Sequence, residues 1–360
     1  MTLRAAVAGT GFWARSALIR RWPPFQVEIA ALIDPDRAAA AAARAAAPGA
    51  APHTSLEAAI AADGPLDLVV IGSPDSAHPA LVEAALAHGA ALFCEKPLAN
   101  DAATAAALAR AAAGAPRPAT VGYSFRYNPA IQALKRDLVA GRFGTPWLIE
   151  LAEHNPQFHP QGGKPLNWKG DPAHAKAGAL FEYGSHVVDL ALWLIGPVER
   201  VSSTLTRVLP GARLDDIATL QMQFAGPTAG LLVASWVLEG GFPGIRIRLH
   251  GSEAVAELRV DHRLPGGQSY RIGRPVADAL VEAAVAPLLD PRNDATRRHM
   301  ADLVALTLGR DPAHAGTLPT LADGTRAQEV MEAALAGAAA GARVNYAALD
   351  RGTAGNRRGR

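Results

Sequence analysis

The chain has 360 residues, 49% of them hydrophobic and 19% charged, with a formal net charge of +2. That balance excludes a disordered chain and gives no electrostatic reason to expect a nucleic acid or an anionic membrane as partner. The length accommodates two domains with sizeable cores.

In chain order, the apolar run Leu3–Ala8 predicts a strand, followed by a helix to about Arg21. Val27–Ile33 predicts a second strand ending at Asp34, with helices over Arg37–Ala47 and Leu56–Ala62. Leu68–Ile71 is a further strand, followed by the turn Gly72-Ser73-Pro74 and a helix over Pro79–His88, stopped by Gly89. Ala90–Glu95 and Ala102–Ala113 repeat the strand-then-helix order. This alternation predicts a doubly wound parallel sheet.

After Gly122 the pattern changes. Residues 146–153, 199–206, 216–224, 228–236, 245–250 and 253–260 are strand candidates. Ala218, Leu220, Met222 and Phe224 alternate with Thr219, Gln221 and Gln223, and Ile245, Ile247 and Leu249 alternate with Arg246, Arg248 and His250. A period of two predicts an antiparallel sheet with one apolar and one polar face. Helices over Asn293–Leu308 and Asp323–Ala340 are expected to cover it. The expected organisation is therefore an α/β domain with a doubly wound parallel sheet over 1–122 and an α+β domain over 123–350. The latter has a mostly antiparallel open sheet covered by helices. Residues 351–360, which carry no apolar anchor, are expected to be a disordered tail.

The lone Cys94 excludes an intramolecular disulfide and reads as a small buried core residue. No cationic-then-apolar leader precedes the first glycine motif. No apolar stretch reaches the roughly 18 residues that a membrane span needs. These readings place the protein in the cytoplasm.

Three segments carry the chemistry. Gly9-Thr10-Gly11-Phe12-Trp13-Ala14 fits G-x-G-x-x-A between a strand and a helix, with an acid, Asp34, at the end of the next strand. In that context the first glycine makes the tight turn and the second lets backbone approach a pyrophosphate at the helix start. Asp34 would accept from the adenosine ribose hydroxyls and repel a 2′-phosphate, which favours NAD; Arg37 nearby leaves NADP possible. The second segment is Glu95-Lys96-Pro97, at the carboxyl end of an apolar strand, where ligands of open parallel sheets bind. Far downstream, Glu182 and His186 are spaced four apart in a predicted helix over 182–195, on a stripe with Asp189 and Trp193. Gly184 weakens the first turn, so Glu182 is expected at a helix cap. Alcohol oxidation needs these types. A base must take the hydroxyl proton as hydride leaves, a histidine of pKa about 6.5 does so at neutral pH, and a cation stabilises the developing alkoxide.

Taken together, the motifs resemble the glucose–fructose oxidoreductase, inositol dehydrogenase and rhizopine-catabolism (Gfo/Idh/MocA) family. The matching residues are Gly9–Ala14, Ser73-Pro74 with His78, Glu95-Lys96-Pro97, Gly122 with Arg126-Tyr127-Asn128-Pro129, Trp168 with Asp171-Pro172, Gly178–Asp189, and Pro319-Thr320 with Asp323-Gly324. The resemblance implies a Rossmann domain and NAD(P)-dependent oxidation of a secondary alcohol of a sugar, cyclitol or related polyol. It also implies a homodimer or homotetramer. It puts Lys96, His186 and Glu182 in catalytic roles. Gly9, Thr10, Gly11, Phe12, Trp13, Asp34, Arg37, Ser73, Pro74, His78, Glu95, Lys96 and Arg126 fall on the cofactor side, and Lys96, Tyr127, Trp168, Glu182 and His186 on the substrate side. Glu182 stands where the family pattern usually has aspartate, a methylene longer. The histidines lack the paired spacing of a metal site, so no metal is expected. An NAD-dependent glycosidase working by transient oxidation, and a dinucleotide-binding sugar sensor without turnover, are the competing readings.

Overall fold

The computed structural model describes residues 1–19, 26–166, 168–172, 175–240, 244–276, 279–288, 293–337 and 342–343. In chain order its elements begin β1 (Leu3–Ala8), β2 (Val27–Ile33), α1 (Arg37–Ala43), β3 (Ala51–His53), α2 (Leu56–Asp63), β4 (Leu68–Ile71), α3 (His78–Ala87), β5 (Ala91–Cys94), α4 (Ala102–Ala113) and β6 (Ala119–Val121). There follow α5 (Pro129–Val139), β7 (Pro146–His154), α6 (Ser185–Leu194), β8 (Val198–Thr206), β9 (Ile217–Phe224), β10 (Ala229–Ser235), β11 (Ile245–Gly251), β12 (Val255–Val260), β13 (Gln268–Gly273), β14 (Val281–Glu282), α7 (Asp294–Thr307), α8 (Leu321–Ala336) and β15 (Ala342–Arg343). The chain divides into two compact units. One is Met1–Ser124 with Thr296–Thr325; the other is Phe125–Ala295 with the residues after Thr325.

The first unit is a six-stranded parallel sheet in the order β3-β2-β1-β4-β5-β6. Both β4 (Leu-Val-Val-Ile) and β5 (Ala-Leu-Phe-Cys) are buried along their whole length, as expected of strands with helices on both faces. Short polar side chains start the helices. Asp36 Oδ1 accepts from Ala38 N on α1 at 2.8 Å, Ser55 Oγ from Ala58 N on α2 at 3.1 Å, and Asp101 Oδ1 from Thr104 N on α4 at 2.7 Å. Met300, Leu303 and Val304 of α7 bury themselves with Val7, Leu68, Val70 and Phe93. That packing draws residues 296–325 into this unit, although the sequence reading assigns them to the second domain. Strand order reverses between β1 and β4, so the loops after these strands flank the crevice where doubly wound sheets hold ligands.

The second unit carries a nine-stranded sheet in the order β14-β13-β12-β11-β7-β10-β9-β8-β15, antiparallel except for the β7–β10 pair. Ala218, Leu220, Met222 and Phe224 are buried while Thr219, Gln221 and Gln223 are exposed, and β11 alternates likewise. Helix α5 packs on β12 and β13, and α6 on β7 and β10.

Several elements differ from the sequence reading. Helix α1 ends at Ala43 and turns carry the chain to Ala47. The helix after the glycine fingerprint is a wide π-type turn over Ala14–Leu18. The segment before α6 is also π-type, Leu180–Gly184, and runs on into the helix, so Glu182 lies inside a turn and not at a cap. Helix α5 and strands β3, β6, β13, β14 and β15 have no counterpart in the sequence reading. The tail 351–360 lies outside the described residues.

Candidate active site

The loop between β1 and the following turn is built for close approach. Gly9 sits at φ +85°, and a Cβ there would come within 2.4 Å of Ser73 N, in the loop after β4. Only glycine lets the loops after β1 and β4 touch. A Cβ on Gly11 would meet nothing within 4 Å, so space is open on the side where the fingerprint needs a pyrophosphate to lie against backbone. Asp34, at the end of β2, accepts through Oδ2 from Thr10 N at 3.0 Å and Thr10 Oγ1 at 2.8 Å, and through Oδ1 from Asp36 N at 3.1 Å. These bonds aim the carboxylate while leaving lone pairs for ribose hydroxyls. Arg37, the first residue of α1, is exposed, as is Phe12 at 73%. The residues therefore fit a dinucleotide.

Glu95 and Lys96 follow β5, both half-buried. Trp13 of the fingerprint donates Nε1–H to Glu95 Oε1 at 2.8 Å. On the other side Gly122 abuts Glu95, where a Cβ would lie 3.0 Å from its Oε2. The Glu95 carboxylate thus ties the loops after β1, β5 and β6 together. His78 opens α3 and is 1% exposed, its Nδ1 2.8 Å from the Pro97 carbonyl and its Nε2 3.0 Å from the Ser73 carbonyl. Burial, the largest influence, holds its pKa below the ordinary histidine range, against the Pro97 and Ser73 carbonyls and Asp75, and Lys96 adds to the depression. Both nitrogens of this buried ring, expected on the cofactor side, thus face backbone carbonyls of the loops after β4 and β5.

In the second unit the Leu180–Gly184 turn and α6 carry Glu182 and His186. Asp215, immediately before β9, holds the start of this turn. Its Oδ1 accepts from Gly178 N at 2.7 Å, its Oδ2 from Leu180 N at 2.8 Å, and its carbonyl from Ala179 N at 2.9 Å. These N–H groups are orphans of a helix start, satisfied by a residue distant in sequence. Burial is the main influence on Asp215 and raises its carboxyl pKa above the usual range, against the pull of the Leu180 and Gly178 N–H groups; the neighbouring Asp216 pushes it the same way as burial. A Cβ on Gly178 would fall 1.9 Å from the Asp215 carbonyl, so the close approach requires glycine. Asp216 accepts from Trp236 Nε1–H and from Val208 and Leu209 N, at 2.7, 2.7 and 2.9 Å.

Glu182 pairs through Oε1 with Lys169 Nζ, both side chains about a quarter exposed (24% and 26%). The His186 ring packs on Phe125, centroids 4.5 Å apart. Asp189 takes Arg126 bidentately, Nε–H to Oδ2 at 2.9 Å and Nη2–H to Oδ1 at 2.5 Å, with both side chains buried. The Arg126 guanidinium also lies 5.6 Å from the Trp193 ring centroid, and Lys135 Nζ lies 5.2 Å from it. So the stripe His186, Asp189, Trp193 packs against residues 125–135. Arg126, which the sequence reading places on the cofactor side, is ion-paired with Asp189. Tyr127, expected at the substrate, is fully buried at 0% exposure. Trp168 begins a short 3₁₀ turn, and its side chain lies outside the described residues. The sequence reading does not identify Asp215 or single out Lys169 as a partner for Glu182. Only an acidic pair ahead of a strand and a lysine in a polar loop mark them in sequence. Among the described residues, no group of three or more His, Cys, Asp or Glu could hold a metal ion, and no helix is long and apolar enough to cross a membrane.

Residues 3–123 match the family model of the oxidoreductase family with NAD-binding Rossmann fold, and residues 131–257 match the GFO/IDH/MocA C-terminal domain. Among curated relatives, D-apiose dehydrogenase of Rhizobium rhizogenes is 28% identical over 301 residues, 81% of this chain and 83% of the relative. Inositol 2-dehydrogenase of Streptomyces avermitilis is 30% identical over 280 residues, covering 75% and 77%. The solved structure of levoglucosan dehydrogenase in complex with NADH shares the fold with a TM-score of 0.81 at 20% identity, over 96% of this chain and all of that one (100%). The chain is therefore a member of the GFO/IDH/MocA oxidoreductase family, and its first domain is that family's NAD-binding Rossmann fold.

Proposed function

We propose that this protein oxidises a secondary alcohol of a sugar, cyclitol or related polyol with NAD. One observation carries the reading: the open loop at Gly11, the aimed Asp34 and Lys96 all lie at the carboxyl ends of strands β1, β2 and β5 of one parallel sheet. Bound against Gly9, Gly11 and Asp34, NAD would supply the hydride acceptor. Lys96 holds positive charge at the substrate oxygen and stabilises the alkoxide as it develops. His186 takes the hydroxyl proton, and Phe125 beneath its ring fixes the orientation. Glu182, held by Lys169, orients the substrate or His186. The names of the relatives, D-apiose, inositol and levoglucosan dehydrogenases, support a polyhydroxylated substrate. The reading extends to a homodimer or homotetramer, in which the open sheet of the second unit would be covered by a second copy. Use of NAD supports a cytoplasmic site of action.

The test is a panel of D-apiose, myo-inositol, levoglucosan and alkyl glycosides with NAD and with NADP, followed by absorbance of the reduced cofactor and product identification. Net NADH formation from a polyol that disappears in Lys96→Ala supports the reading. Glycoside cleavage without net NADH formation, or turnover undiminished in Lys96→Ala, overturns it.

A further inference from the structure

His78 sits where two loops must be held in register. One follows β4 and contains Ser73, whose backbone N approaches Gly9 of the fingerprint. The other follows β5 and contains Lys96 and Pro97. The imidazole bridges them, Nε2 to the Ser73 carbonyl at 3.0 Å and Nδ1 to the Pro97 carbonyl at 2.8 Å. In either neutral tautomer the ring donates to one of these oxygens, and as imidazolium it donates to both. The far side of the second loop is also fixed: Leu98 is fully buried, and Gly324 of α8 approaches it so closely that a Cβ would lie 3.2 Å from Leu98 Cβ. The two residues after the lysine are thus each held, Pro97 by the His78 ring and Leu98 by the start of α8. Asp75 and Lys96 are the charged groups that act on the ring.

We propose that His78 is a positioning residue for Lys96, a strut that holds the Lys96-Pro97 loop against the cofactor loop, and not a ligand of the cofactor. The inference rests on the reading of Lys96 as the group at the substrate oxygen. Loss of either carbonyl contact lets the loop open locally, and local opening exposes the groups on it.

The test uses the full chain and does not need the natural substrate. Each of the five lysines is followed by mass spectrometry during brief labelling with an amine-reactive ester, with exposed Lys164 as internal reference. His78→Phe keeps the ring shape without a donor, and the Lys96-to-Lys164 labelling ratio should rise about threefold or more. His78→Gln restores a donor group, the side-chain NH2, and should return the ratio toward wild type. The NAD dissociation constant should stay within about threefold in both, because the dinucleotide loop keeps its own contacts. An unchanged labelling ratio would overturn the proposal, as would a tenfold loss of NAD affinity with Lys96 labelling unaltered. If the variants do not fold, nitrogen-resolved spectra of the unmodified protein decide. A His78 ring N–H protected from solvent exchange supports the strut, and a freely exchanging ring overturns it. Activity of Lys96→Ala on the panel above separately tests the role of the lysine.

Discussion

Asp215→Ala offers the sharpest perturbation of the candidate site, because it acts through backbone. The carboxylate is 5% exposed and accepts from Gly178 N and Leu180 N at 2.7 and 2.8 Å. Alanine keeps the carbonyl bond to Ala179 N but strands two buried donors at the start of the turn that carries Glu182 and His186. Hydrogen bonds to a charged acceptor are worth about 1.5–3 kcal/mol each, and because the ionised group also bears a burial cost, the lower end applies, a loss of about 3 kcal/mol. For a domain of this size that lowers Tm by about 6–12 °C. The pH dependence has a definite sign. The folded-state pKa of Asp215 is raised, chiefly by burial, so the stability its titration contributes is fully present below the unfolded value of about 3.9 and is lost as pH rises through the folded value. The Tm deficit of Asp215→Ala should therefore be larger near about pH 4.5 than near about pH 7.5. Thermal unfolding monitored by circular dichroism across that range, with NAD affinity measured alongside, checks both statements. A drop below about 2 °C would refute the anchoring role, and a deficit that grows with pH would refute the dominance of burial over the Gly178 and Leu180 N–H bonds.

Further perturbations address the remaining parts of the site. Asp34→Ser removes the carboxylate that repels a 2′-phosphate and should shift the NADP-to-NAD ratio of kcat/KM upward by about tenfold or more; comparable use of both cofactors by the unmodified protein would instead assign control to Arg37. Lys96→Ala should lower kcat by about 100-fold or more with NAD affinity nearly unchanged, measured by steady-state kinetics and NADH fluorescence. Asp189→Asn leaves Arg126, 3% exposed, without its counter-charge and should cost about 3–5 kcal/mol in denaturant unfolding; a loss under about 1 kcal/mol would mean that solvent reaches the pair. Glu182→Asp withdraws the carboxylate from Lys169 by roughly an angstrom and should slow turnover of the native substrate, whereas a silent change would limit Glu182 to supporting His186.

The fold was legible wherever a strand is buried on both faces or on one strict face. Leu68–Ile71 reads directly because β-branched and apolar residues run unbroken, Val27–Ile33 because only Glu28 interrupts its apolar run, and β9 and β11 because alternation leaves no second register. Strands β3 and β6 are three residues each and too short to show a period. Helix α5 carried a local signal that went unused: Asn128 precedes Pro129, and its Oδ1 accepts from Ala130 N and Ile131 N at 3.0 and 3.2 Å, an N-cap with proline at the first helical position. The placement of residues 296–325 had no local signal, because it depends on which of two cores Met300 and Leu303 enter.

The site divides along the same line. Gly9, Gly11, Asp34 and Lys96 were readable because a backbone turn, a strand end and a charge beside proline are properties of short segments. His78 shows what such reading leaves out. Its motif places it with the cofactor residues, whereas its burial and its two carbonyl partners, on which the strut proposal rests, are set by the fold. Arg126 illustrates the same limit: spacing puts a cation near the domain junction, and only the fold brings Asp189, 63 residues on, to neutralise it. Asp215 is the extreme case, since it serves Leu180 across 35 residues of chain through backbone N–H groups that have no residue identity to read. Groups that meet ligands must recur in recognisable local frames, because the ligand's geometry is fixed. The groups that hold them need only arrive from somewhere in the fold, so their positions are set by tertiary packing.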